Sequence, residues 1–340
     1  MDAGRPLLRR WPTTSTSSKR GALVVLPVVR GALRMVRRLV ATVAGAALAV
    51  FVAIEISIPR GFAAVVLPGG IDDGSPRARA IVETYHLDDP VPIRFGRWVL
   101  DLLAGELGRS TRGMAVSELI VPRLSISLQL VLVSVLGTIL LGIPLGLLAA
   151  AWSGRRRGTA LNVVFGLSQS IPVFITPVFL IWLFALQLRW LPAAGWIRIS
   201  DSLGGNLRNL LLPAAALVFA ELGIVARIIR ADALQVLRSE YIAAAVGKGL
   251  SPWYVLTRHA LRPASLGLLN VVGLNVASLL SGAMVLEIVF GIGGLGQLVF
   301  EAAINRDLYL LLALTTYVVT VYVVLNSIVD VAMRLADPRI

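Results

Sequence analysis

The sequence has no cysteine at all and only two histidines, His86 and His259. The first absence excludes disulfide staples, thiolate metal sites and a cysteine nucleophile. The second leaves two side chains far apart along the chain, so no histidine metal cluster can assemble. Charge is scarce too. Asp, Glu, Lys and Arg make up 15% of the 340 residues while 57% are hydrophobic, a balance foreign to soluble domains and typical of membrane proteins. No phosphate-cradling loop of the GxxxxGK(S/T) form occurs. Gly247 and Lys248 come nearest, but they lack both the upstream glycine and the following hydroxyl residue. Neither a GxSxG elbow nor an HExxH pair is present. If the chain takes part in active transport, the energy comes from another subunit or from an ion gradient.

What the chain has in quantity is long apolar sequence. Crossing about 30 Å of hydrocarbon takes about 20 apolar residues in a helix. Six stretches meet that length: Leu39 to Ile58, Ser125 to Ala151, Leu161 to Leu186, Leu210 to Ile229, Ala264 to Phe290 and Leu308 to Leu335. Lipid satisfies no backbone polar group, so each is expected to be a helix. The fold class is therefore an all-α integral membrane protein with six transmembrane helices. The net charge of +13 is a topological signal, not a nucleic-acid footprint. Arg30, Arg34, Arg37 and Arg38 precede the first span, Arg155, Arg156 and Arg157 follow the second, and Arg227, Arg230, Arg238, Lys248, Arg258 and Arg262 follow the fourth.

Short arginine-rich loops stay in the cytoplasm, so these three face inward and both termini are cytoplasmic. The expected organisation is a loose tail over 1–29, a first helix within 30–58, an external segment over 59–122, a five-helix core over 123–335 and a short inner C-terminus over 336–340. A cleaved signal peptide fits poorly, because the apolar run near the N-terminus is about twice the usual length.

The inner loop 238–263 is too long and too patterned for a connector. Glu240 to Val246 suits a short helix, with Gly247 and Gly249 free to end it in a tight or left-handed backbone. Ser251 and Pro252 form an N-cap and first-turn pair for a second short helix through Arg258. A hairpin offering Trp253, Tyr254 and Leu256 suits a partner's groove, and the same amphipathic physics suits the lipid interface.

Ionisable groups inside a span are costly unless paired or wet, which singles out Glu55, Glu221 and Glu287. Glu55 and Glu287 stand near the outer ends of their helices, where headgroup water is within reach; Glu221 is deeper and must face protein or a cavity. Asn275, Ser278 and Gly282 share one face of the fifth span, a face that lines a pathway or packs closely against a neighbour. Gln129, Ser168 and Gln169 carry the same two readings. Gly142 and Gly146 have the spacing that lets membrane helices approach.

The loop resembles the EAA loop of binding-protein-dependent importer permeases. Glu240-Tyr241-Ile242, Ala245, Lys248-Gly249-Leu250-Ser251, Val255, His259, Leu261 and Arg262 match its peptide-permease form. The outer stretch Leu87 to Ser110 resembles a segment ending in GDLGxS, with Glu106 in place of aspartate. Ser170, Pro172 and Phe174 match the family's third helix. Glu287, Phe290, Gly294, Leu295 and Gly296 resemble its VExVFxxPGLG turn, with Gly293 where proline is expected, and Asp337-Pro338-Arg339 match its DPR ending. After the first helix, Ile58-Pro59-Arg60-Gly61 departs from the family's APGDP-like stretch.

The resemblance, to the dipeptide/oligopeptide permease B type of ABC importer subunit, implies a MetI-like core in a bacterial cytoplasmic membrane. It implies three kinds of protein partner: a second homologous permease, two ATP-binding-cassette ATPases that hold the ATP and Mg, and an extracytoplasmic solute-binding protein. The chain itself carries no cofactor and binds lipid but no nucleic acid. Glu240, Tyr241, Ala245, Lys248, Gly249, Leu250, Ser251, Trp253, Tyr254, Arg258 and His259 become the expected ATPase-coupling residues. Gln169, Glu221, Asn275, Ser278 and Glu287 become the expected pathway residues. A secondary transporter or channel is the rival reading, and it should show an intramembrane ion site and paired interrupted helices.

Overall fold

A computed structural model describes residues 40–53, 88–110, 113–251, 278–305 and 307–336, with isolated positions between them. The N-terminal tail, Glu55, Trp253, His259, Asn275 and the Asp337-Pro338-Arg339 ending lie outside the described residues. Helix α1 is Val40–Ala53, and α2, Val91–Leu103, lies in the segment expected to be external. Helix α3, Val116–Ala151, begins ahead of both the expected span and the 123 boundary. At 1.5 Å per residue its 36 residues extend about 54 Å, well beyond the hydrocarbon thickness. Pro122 therefore falls near one end of the helix, where its missing hydrogen bond is tolerable.

The third expected span is not a straight helix. Helix α4, Arg156–Ser170, is followed by α5, Ile175–Leu180, which continues as a π-helical turn over Ile181–Gln187. The two halves meet at 110°. The break has a local cause: Pro172 disfavours helical backbone at the residue before it, and Ile171 is accordingly extended, with φ −83° and ψ 122°.

Helix α6, Leu203–Leu237, opens with Ser202 Oγ accepting the Gly205 N–H. Helix α7 is Glu240–Gly247. Helix α8, Ser278–Phe290, meets α9, Leu295–Ile304, at 71°, and α10 is Leu308–Ala336. Among the described residues, three helices are long and apolar enough to cross a membrane, or five if each bent pair forms one span.

Helix α6 is the hub, with 67% of its most apolar stretch buried inside the chain against 39% for α3 and 33% for α10. Lipid is as apolar as leucine, so this burial reflects close packing and not escape from water. The glycine seam on α3 makes the approach possible. A methyl group on Gly142 would lie 2.8 Å from Val225 Cγ1, and one on Gly146 would lie 2.7 Å from the Ala226 carbonyl oxygen. The expected GxxxG contact is thus the α3–α6 interface. Leu130, Leu212 and Leu217 pack with Leu279 and Leu286 of α8 in a second cluster, while Val116 and Ile120 pack with Leu298 of α9 and Leu314 of α10.

Candidate functional site

Three elements meet at one cavity whose apolar wall carries a cluster of polar side chains. The Ser170 end of α4, the middle of α6 and the start of α8 enclose about 490 Å³, lined among others by Ser168, Gln169, Glu221, Ser278, Ser281 and Gly282. Gln169, Glu221 and Ser278, taken from separate spans as candidates, are thereby brought together. Ser278 Oγ donates to Glu221 Oε1 at 2.9 Å. Glu221 is 5% exposed, and among the described residues its Oε2 has no hydrogen-bond partner. Gln169 Oε1 accepts from Arg227 Nη1 at 3.1 Å, which fixes one wall. Gly282 serves packing as well, since a methyl there would lie 2.9 Å from Leu217 Cδ1. Sequence reasoning missed Ser281; its signal was the three-residue step from Ser278 on the same helix face. Gln129 lies apart from this cavity, its Oε1 3.4 Å from Asn206 Nδ2.

Glu287 is elsewhere and does a different job. It is fully buried and does not reach interfacial water, contrary to its expected end-of-helix environment. Its Oε2 accepts the Gly296 N–H at 2.6 Å, in the first turn of α9. A helix start leaves N–H groups without partners and favours negative charge, so the carboxylate caps α9 from the preceding helix. Ser127 Oγ adds a second cap by accepting the Leu295 N–H at 2.9 Å. A methyl on Gly294 would stand 2.3 Å from the Glu287 carboxyl carbon, so a side chain there would displace the capping carboxylate. Gly293 has φ +72°, a conformation closed to proline, so the departure from the PGLG pattern accompanies a left-handed turn.

The outer motif is tied to the last helix. Gly105 and Gly108 take φ +85° and +78°, and the turn they build delivers Ser110 Oγ to the Asp307 carboxylate. Asp307 Oδ1 in turn accepts the Leu310 N–H at 3.1 Å, capping α10. Glu106 enters this turn through its backbone, its N–H donating to the Asp101 carbonyl at 2.8 Å.

At the other end of α6 lie the described residues of the hairpin. Glu240, Tyr241 and Ala245 lie on α7, and Gly249 follows with φ +81°. Ser251 Oγ accepts the Tyr254 N–H at 3.2 Å, the expected N-cap of the second turn. Ile242 and Val255 are buried, whereas Tyr241 is 51%, Tyr254 47% and Leu250 37% exposed. Glu240, Lys248, Ser251 and Arg258 are exposed beside them. Among the described residues, Ile242 and Val255 therefore anchor the hairpin while Tyr241 and Tyr254 stand partly exposed.

Comparison with known proteins accords with this arrangement. Residues 142–340 match the model of the family described as binding-protein-dependent transport system inner membrane component. The probable peptide ABC transporter permease protein y4tP of Sinorhizobium fredii is 34% identical over 308 residues, covering 90% of this chain and 98% of the relative. The oligopeptide transport system permease protein OppB of Haemophilus influenzae is 35% identical over 268 residues, covering 78% and 86%. A chain in the crystal structure of the MetNI methionine ABC transporter in inward-facing conformations matches 64% of this chain and 94% of its own length, with a TM-score of 0.51 at 19% identity, a likeness of fold. The chain belongs to the binding-protein-dependent transport system inner membrane component family.

Proposed function

We propose that this chain forms half of a peptide-conducting pathway and transmits ATPase motion to it through the 238–263 hairpin. The chain is a permease subunit of an ABC importer, a transport component, and ATP hydrolysis lies in separate subunits. Peptides are proposed as the solute because the relatives above are named for peptide and oligopeptide transport. The observation that carries the mechanism is the continuity of α6: Glu221 in the cavity and Leu237 beside the hairpin stand on one unbroken helix, about 24 Å apart at the helical rise. A push on the hairpin is thereby delivered to the cavity wall.

In the full assembly a second permease completes the pathway, two ATPases bind ATP and Mg and grip the hairpins, and a binding protein delivers solute from outside. Tyr241, Leu250 and Tyr254 are the anchors of that grip, with Lys248 and Arg258 exposed beside them, because exposed aromatic groups carry most of such an interface. Proteoliposomes holding the whole complex are expected to accumulate members of a random tripeptide mixture only when ATP and the binding protein are supplied. Accumulation of none of them would remove peptides as the solute.

The chain is placed with both termini in the cytoplasm and the 59–122 segment outside a bacterial inner membrane. Because it has no native cysteine, a Ser75→Cys variant in intact spheroplasts is expected to react with an impermeant thiol reagent, and an Arg156→Cys variant is not. The opposite pattern would invert the chain and put the hairpin on the wrong side for an ATPase.

A further inference from the structure

The cavity holds a carboxylate whose second oxygen has nothing to bind among the described residues. Glu221 Oε1 is held by Ser278, but Oε2 is buried without a partner among them. Among the described residues no Lys or Arg forms an ion pair with it. Arg227, the guanidinium that reaches this cavity's wall, is directed at Gln169. A buried carboxylate in the membrane is satisfied by a proton, water or a counter-charge, and only the last two come from a cavity. Among apolar neighbours such as Ile171, Val173 and Ile224, the lining also offers hydroxyl and amide groups from Ser168, Gln169 and Ser281, and the volume of about 490 Å³ is large enough for a small organic cation with water around it.

We infer that Glu221 makes this cavity a transient binding site for the cationic group of a passing solute, an ammonium or guanidinium held on Oε2 while Ser278 fixes Oε1. The inference rests on the cavity being part of the pathway and adds a preference for positive charge at that point. A zwitterionic or basic peptide must lose part of the hydration of its ammonium on the way through, and a carboxylate already desolvated and oriented replaces that hydration without reorganising. Binding stays weak enough for release because one oxygen remains committed to Ser278.

The absence of native cysteine gives a direct test. A Ser281→Cys variant places a single thiol on the cavity wall of the complete complex. It is exposed to methanethiosulfonate reagents bearing either a trimethylammonium or a sulfonate group, and modification of this chain is read by mass. With Glu221 present, the cationic reagent is expected to react faster, and Glu221→Gln is expected to lower the cation-to-anion rate ratio about tenfold or more. Glu221→Asp, which keeps the charge, should preserve most of the preference. An unchanged ratio in Glu221→Gln, with both reagents still reaching the thiol, would overturn the cation site and leave the pathway intact. Failure of both reagents to reach the thiol at any stage of the ATP cycle would remove the cavity from the pathway, and the cation site with it.

Discussion

Replacing Gly223 with valine is expected to lower the amount of intact complex recovered from membranes about tenfold or more. Gly223 lies where α6 passes the end of α4. A methyl group there would stand 2.3 Å from Ser168 Oγ, 2.4 Å from the Phe165 carbonyl oxygen and 3.0 Å from Gln169 Nε2. A side-chain rotation could relieve the last of these. The Phe165 carbonyl is backbone in the middle of a helix, so relief requires the two helices to separate. Packing is the principal attraction between helices in lipid, which leaves little to offset such a separation. The same movement would open the cavity beside Ser168 and Gln169. Gly96→Val is the control, because a methyl on Gly96 meets nothing within 4 Å and only helix propensity is at stake. Equal recovery of the two variants, measured by quantitative immunodetection and thermal stability in detergent, would show that the α4–α6 contact is not needed for folding.

Gly223 also marks the limit of what the sequence could say. Gly142 and Gly146 were legible as a packing seam, since their spacing alone places them on one helix face. The surface they meet, Val225 and Ala226 of α6, follows only from knowing which helices adjoin. Gly223 had no partner glycine at that spacing and carried no signal. The third span shows a different limit. Length and hydropathy predicted one helix, and Pro172 already contained the reason for its break, but a window average does not register a single residue's effect on Ile171.

Glu287 had the opposite problem. Its charge was conspicuous, yet its role depends on the chain turning back so that the start of α9 meets it, which residue type cannot reveal. The hairpin was the most legible feature of all. Its helix end, left-handed glycine and serine cap are local, and local chemistry is what a sequence states most directly. The cavity was half legible: Gln169, Glu221 and Ser278 stood out as polar residues in apolar runs, while their convergence is a property of tertiary packing.

Gly249→Val is expected to reduce solute uptake by the reconstituted complex about tenfold while leaving the chain folded and assembled in the membrane. Gly249 has φ +81°, and a β-branched residue held there is strained by roughly 1–2 kcal/mol. No neighbour explains the effect in advance, because a methyl on Gly249 meets nothing within 4 Å. The strain is therefore confined to the backbone between α7 and the Ser251 cap, and it is relieved by changing the angle between the two arms of the hairpin. That angle sets how Tyr241 and Tyr254 are presented together. If the hairpin transmits the ATPase stroke to α6, an altered angle lets ATP hydrolysis proceed without moving the cavity wall, so hydrolysis per solute transported rises. Gly249→Asn provides the discriminating comparison, since asparagine tolerates the left-handed region and should retain most of the uptake. Gly247→Ala, within α7 and with open space at its Cβ, should be nearly neutral. Normal coupling in Gly249→Val, with uptake and hydrolysis both at the level of the unmodified complex, would show that force reaches α6 by some route other than this turn.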